Sequence, residues 1–464
     1  MKERRKRKKK QPNLFLKCLV SVIALGLMLW LGSMAVTFCL GLFAEGDYIV
    51  ELPGQPSPVT QATNPAATEP TGGSTGFTLP TETARAQLLV TGDLMLHTPI
   101  LTSVRSGGEY DFDEVFQYVA PYVSRADYAV VNLETTLSGT DGKEYTGYPK
   151  FNSPDSIVQD AGSAGFDMML TANNHCNDYG TFGLKRTLET VRGGGLAALG
   201  TVASTDEPDY LVQDVNGIKI GMVCYSYGQI DSDPDRPAMN GLPTDSNAAG
   251  LINAFDYDKL DAFYEEMTTR IADMRAEGAE AIVLYIHWGD EYSTSVNDKQ
   301  RAMAQKLCDL GVDVIAGSHP HVVQEMELLT STADESHKTV CLYSMGNFLS
   351  NQRATNVSVT TGHTEDSLLL GLTFVKYSDG NVYLEGTTVQ PTWVLLEGSG
   401  SSRTYRILPL DHDAGDWEEL YGLSPSQEDD AERSYSRTME LVNSGLKTVQ
   451  AYLEMDRISR VGVG

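Results

Sequence analysis

Apolar and polar positions alternate along this chain in two rhythms. Predominantly apolar runs at 87–92, 128–131, 166–170, 281–286 and 312–315 read as buried strands. Between them, stretches at 112–124, 154–164, 180–193, 256–277 and 297–310 carry the helical period. Asn216-Gly217 joins the β-rich runs 209–215 and 218–226 as a hairpin turn does. Beyond residue 338 the pattern is mostly β, with a second turn at Asp379-Gly380, and residues 429–457 read as one or two terminal helices. Strands alternating with helices, followed by a β-rich half, predict α/β layers.

The N-terminal pattern is different. Residues 1–17 form a basic tail, and the 27 residues of 18–44 carry no charge. About 20 apolar residues span a bilayer, whereas a cleaved signal has an apolar region of roughly 7–15, so an uncleaved transmembrane anchor is expected. The basic end places the N-terminus in the cytoplasm and the body outside it, in the cell membrane as a single-pass protein. Residues 45–84, rich in Pro and Thr, read as a flexible linker. The folded domain is expected over 85–410, and 411–464 as a C-terminal helical extension.

Charge sharpens this division. The chain of 464 residues has a formal charge of −27, but residues 1–17 hold nine Lys/Arg and one acid. The remainder therefore carries 26 basic and 61 acidic side chains, a balance of −35. Such a body repels nucleic acid, and no basic patch, internal repeat or glycine-rich phosphate loop is present. Cys18 and Cys39 fall in the apolar segment; Cys176, Cys224, Cys308 and Cys341 are scattered without a CxxC pair, so no disulfide framework is expected.

Five of the eight histidines lie in short patches with Asp, Asn or Glu: Gly92-Asp93 through His97, Asn132-Leu133-Glu134, Asn173-Asn174-His175, His287-Trp288-Gly289-Asp290-Glu291 and Gly317-Ser318-His319-Pro320-His321. Each follows an apolar strand, where open α/β sheets place ligands. Imidazole and carboxylate are the ligand set of zinc, manganese or iron. Two ions held roughly 3.5–4 Å apart clamp attacking and leaving oxygens. Asp93 is assigned to a first ion, Glu134 to a bridge, Asn174, His287 and His319 to the second ion, and His321 to the first again. His175 stays free as a general acid, oriented by Asp178. His-x-His is expected to set both rings on one side of an extended segment, stiffened by Pro320. Asn132 is a candidate to hold Glu134, and Asp290 and Glu291 to support His287. His337, His363 and His412 stand alone.

In order, GDxxxH, NLE, ANNH, HWGxE and GxHPH, followed by Gly346-Asn347-Phe348, resemble the CapA-type poly-gamma-glutamate capsule synthesis proteins over about 87–351. The resemblance implies a four-layer α/β/β/α metallophosphatase-like sandwich with two divalent metal ions (Mn, Fe or Zn). It also implies a supporting or substrate-contacting place for Asn347. Metallophosphatases carry DxH at the first motif, whereas here His97 follows Asp93 by four residues, so His97 either ligates or contacts substrate.

Three functions follow. The first is an extracytoplasmic metal-dependent hydrolase-like domain acting on a phosphate or acyl centre in capsule polymer assembly or export. The second is a non-catalytic scaffold for a capsule polymer ligase or export complex, with an anionic polymer as ligand. The third is a general phosphoesterase.

Overall fold

The computed structural model describes residues 79–141, 144–230 and 235–461. The expected basic tail, anchor and most of the linker lie outside these residues. Among the described residues no helix is long and apolar enough to cross a membrane.

The fold is mixed α/β. In chain order the strands are β1 (Glu82–Leu94), a ribbon of β2 (Arg105–Ser106) and β3 (Glu109–Tyr110), β4 (Tyr128–Leu133), β5 (Met168–Leu170), β6 (Ala197–Leu199), β7 (Tyr210–Val215) and β8 (Ile218–Tyr227). A ribbon of β9 (Ala238–Met239) and β10 (Leu242–Pro243) follows, then β11 (Ala254–Phe255), β12 (Ala281–His287), β13 (Val314–Ser318) and β14 (Met326–Thr330). β15 (Lys338–Leu342), β16 (Asp366–Tyr377), β17 (Val382–Glu397) and β18 (Thr404–Pro409) complete the set. The first sheet runs β18-β17-β16-β1-β4-β5-β6, parallel from β1 to β6 and antiparallel from β1 to β18. The second runs β11-β8-β12-β13-β15-β14, with β7 also on β8.

Strand alternation builds the layers. Along β12, Ala281, Val283 and Tyr285 face a core shared with Leu88, Val90 and Val130 of the first sheet. Ile282, Leu284 and Ile286 face the opposite way, onto helices Leu260–Ala276 and Asp298–Asp309. In the first sheet, Leu89, Ala129 and Val131 pack outward on Ile100, Phe116 and Ile157 from short helices. The order is thus helix, sheet, sheet, helix, with the principal core between the sheets.

Several expectations shift in detail. The stretch 112–124 is two short helices, Asp113–Phe116 and Ala120–Val123, because Pro121 has no N–H to continue a ladder from the first. β1 starts at Glu82, three residues before the expected domain start, since Glu82 and Ala84 pair with Tyr377 and Lys376 of the long β16. Asn216 and Gly217 both adopt left-handed φ, 53° and 85°, as the expected hairpin turn requires. The terminal segment is one helix, Pro425–Val461, and its Val442, Leu446, Val449 and Leu453 belong to the core between the sheets. Arg437 of that helix pairs with buried Asp366 at 2.7 Å.

Candidate metal centre

The parallel strands of both sheets end at one edge, and the sequence patches lie there. In β1 the pairing with β4 slips between Thr91 and Asp93, then places Asp93 beside Asn132. Such a slip re-aims a side chain. Gly92 at the slip has no alternative: a Cβ there would lie 1.9 Å from the Gly346 carbonyl oxygen. Asn132 Nδ2 donates to Asp93 Oδ1 at 2.7 Å. The amide therefore holds Asp93 and not Glu134, because the strand register sets it opposite Asp93. Glu134 follows β4, its N–H donating to the Leu94 carbonyl at 3.1 Å.

The second sheet supplies the imidazoles. His287 ends β12 and places Nδ1 2.9 Å from Ser318 Oγ. Its Nε2 then faces Asn174 Oδ1 at 3.0 Å, His319 Nδ1 at 3.1 Å and Glu134 Oε1 at 3.7 Å. Ser318, rather than Asp290 or Glu291, is thus the partner of His287; Asp290 Oδ2 accepts from Asn297 at 2.8 Å instead. His321 Nδ1 lies 3.2 Å from Asp93 Oδ2, and its Nε2 3.8 Å from Glu134 Oε1.

The segment bearing these rings is not extended as expected. His319 has φ of 96° and His321 of 58°, left-handed values that cost energy in residues with a Cβ. The rings converge, 5.8 Å between centroids, because the backbone curls rather than because strand positions alternate.

Three groups here have ligand atoms within 4.8 Å of one another: Glu291, His319 and His321 at the exposed side, and two buried triads, Asp93, Glu134 and His321, and Glu134, His287 and His319. Glu134 belongs to both. It is fully buried, and neither carboxylate oxygen has a hydrogen-bond partner. Burial, then the neighbouring Asp93, holds its carboxyl well above the usual range. Burial pushes His287 and His319 well below theirs, so both are neutral and have lone pairs to donate. A buried unpaired carboxyl group that a cation can deprotonate, set among neutral imidazoles, is a donor set that divalent cations satisfy, and the residues fit two such ions.

The remaining candidates surround this core. His175 Nδ1 lies 2.8 Å from Asp178 Oδ2, which also accepts from the Phe151 N–H at 2.7 Å. Asn173 Oδ1 accepts from the His175 N–H at 3.1 Å, and its Nδ2 donates to the Leu133 carbonyl at 2.8 Å. It ties the histidine loop to the Glu134 strand. Phe151 stands edge-on to both His175 and His97, at 4.7 and 5.2 Å. His97 accepts at Nδ1 from the Asn351 N–H at 3.3 Å, and burial lowers its pKa to about 4. Among the described residues it belongs to no group with metal-ligand geometry. Asn347 Nδ2 donates to the His321 carbonyl at 3.2 Å and supports that loop. Cys176 is buried beside His175, and burial pushes its thiol up to about 12, a poor nucleophile.

Sequence reasoning gave no role to Asn173, Ser318, Phe151, Tyr227 or Tyr292. The Tyr227 ring lies 4.8 Å from His319, and the Tyr292 ring 5.9 Å from His321. The first two sat inside the motifs as ordinary turn formers. The aromatic residues carried no signal beyond strand or loop composition.

The bacterial capsule synthesis protein family PGA_cap matches residues 87–352, which contain every ligand candidate of this centre. The chain belongs to that family. This PGA_cap member is 27% identical over 293 residues to the capsule biosynthesis protein CapA of Bacillus anthracis, across 62% of this chain and 64% of that one. It is 28% identical over 266 residues to the PGA biosynthesis protein CapA of Bacillus subtilis strain 168, across 56% and 62%. The matched regions thus span somewhat less than two thirds of these curated relatives. Among solved structures, NAD nucleotidase of Haemophilus influenzae aligns with a TM-score of 0.39 and 11% identity, over 80% of this chain and 68% of that one. The Thermus thermophilus protein TT1561 aligns with a TM-score of 0.33 and 7% identity, over 61% and 93%.

Proposed function

We propose that this PGA_cap member is a membrane-anchored, extracytoplasmic protein of capsule polymer synthesis or export with a two-metal hydrolytic centre in a metallophosphatase-like sandwich. The observation that carries the chemistry is Glu134, shared by two ligand triads with both oxygens unpaired. The capsule and PGA biosynthesis roles of the two CapA relatives support the pathway. Asp93, Glu134 and His321 would hold one divalent ion, and Glu134, Asn174, His287 and His319 the other. When bound, such a pair supplies Lewis acidity and a more acidic water.

The chain's own residues do the rest. Asp178 accepts from Nδ1 of His175 and so presents its other ring nitrogen as the group that protonates a departing atom. Phe151 packs on the same imidazole and limits its rotation. The test is metal analysis of the full-length protein beside His175→Asn. Stoichiometric manganese, iron or zinc should be retained in the variant while capsule production or turnover falls roughly 100-fold or more. A protein that cannot be loaded ends the metal reading; unchanged capsule with His175→Asn turns the function toward scaffolding. For the location, residues 18–44 support an anchor. Protease added to intact cells should remove the body, and a protected body would refute the orientation.

A further inference from the structure

The solvent side of the centre is built differently from its floor. Asp93 and Glu134 are fully buried, whereas Glu291 is exposed and has a ligand atom within 4.8 Å of those of His319 and His321. Its position is set by backbone. The Trp288 N–H donates to the Ser318 carbonyl at 3.1 Å and the Tyr292 N–H to the Pro320 carbonyl at 2.7 Å, zipping the two loops together. Left-handed Gly289 and Tyr292, at 90° and 64°, turn the segment between those bonds. Among the described residues Glu291 has no hydrogen bond or ion pair. Beside it, Tyr227 ends β8 with its ring against His319.

No lysine or arginine of the described residues pairs with Asp93, Glu134, Asp178 or Glu291. Arg353, in the loop after Asn351, is paired with Glu365 at 2.7 Å. Lys299 lies over the Tyr257 ring at 5.0 Å, a ring further out from Tyr227. A phosphate dianion entering here would find metals behind it but, at its flank, the carboxylate of this backbone-held loop, with which no guanidinium or ammonium of the described residues pairs. An uncharged acyl group with an N–H would find an acceptor in Glu291 and a phenol donor in Tyr227.

We propose that Glu291 and Tyr227 set the charge class of ligand this centre admits, favouring an amide-type acyl group over a phosphate dianion. The proposal rests on the two-metal reading above and assigns its substrate class. It is tested on the full-length protein loaded with manganese, by calorimetry with orthophosphate and with acetohydroxamate, an amide-like probe that keeps its N–H and binds a metal as a monoanion. Wild type should bind the hydroxamate more tightly. Glu291→Gln should strengthen orthophosphate binding about tenfold by removing like-charge repulsion, and weaken hydroxamate binding. Tyr227→Phe should weaken the hydroxamate alone. Manganese content should be unchanged in both variants. Tight orthophosphate binding that Glu291→Gln leaves unaltered overturns the proposal, and so does loss of manganese in that variant, which would make Glu291 a ligand. A wild type that takes up no manganese defeats the two-metal reading itself, a result distinguishable from either.

Discussion

At the edge of the first sheet the candidate ligands are oxygens, Asp93, Glu134 and Asn174, while the second sheet presents three imidazoles, His287, His319 and His321. The two halves fail alone for opposite reasons. A buried carboxyl without a cation holds its proton tightly, as burial and then the neighbouring Asp93 make Glu134 do. Buried His287 and His319 lose their charge and offer lone pairs with nothing to bind. Packing the sheets face to face brings the halves within ligand distance, and a divalent cation would answer both deficits. Metal binding and sheet packing should accordingly be coupled.

The strongest way to break this comparison is at Glu134, which serves both triads. Glu134→Gln should reduce bound metal from two ions per chain toward none by elemental analysis. His287→Ala and His321→Ala should each cost mainly one. In metal-free protein at neutral pH the order inverts: Glu134→Gln should unfold later than wild type by about 1–3 kcal/mol, because Gln spares the folded state the proton that the buried carboxyl must take up. Two ions retained in Glu134→Gln would remove the shared-ligand reading.

The close backbone crossings at the two sheet ends come next. A Cβ on Gly317 would lie 2.0 Å from the Tyr343 carbonyl oxygen, and one on Gly92 1.9 Å from that of Gly346. Gly317→Ala and Gly92→Ala should each lose about 3 kcal/mol in denaturant unfolding. Two neutral substitutions would show that neither half needs its tight approach.

A smaller effect sharpens the electrostatic side. Below pH 6.5 the unfolded chain protonates His97, while the folded state refuses the proton until about 4. Its contribution is therefore full above 6.5 and is lost as pH falls through that window. His97→Gln should flatten metal-free stability against pH there, by about 2 kcal/mol at pH 5. His287 and His319 act in the same direction, so the difference between variant and wild type isolates His97. An unchanged slope would mean that His97 titrates freely. The smallest effect is expected of Asn132→Ala, which frees Asp93: binding of the first ion should weaken roughly tenfold, with the second little altered. Equal loss of both would place Asn132 under Glu134 after all.

The legible part of the centre was its inventory. His287, His319 and Glu134 stand out because scarce imidazoles and acids follow apolar strands, and parallel strands end together. The hairpin at Asn216-Gly217 was legible for a local reason too, since two left-handed residues suit Asn and Gly. Partners across strands were not legible. Asn132 turned to Asp93 through a slip at Gly92, and His287 took Ser318 rather than its own sequence neighbours.

The order of strands, the motif residues and the acidic body were thus determined by local pattern, because burial on two faces and turn chemistry act over a few residues. Which oxygen meets which nitrogen, the curled backbone under His319 and His321, and the place of the C-terminal helix in the core were decided only by tertiary packing. The reason is that each depends on contacts between segments far apart in sequence: Asp93 and His321 are joined by no local rule, only by two sheets closing on a common core.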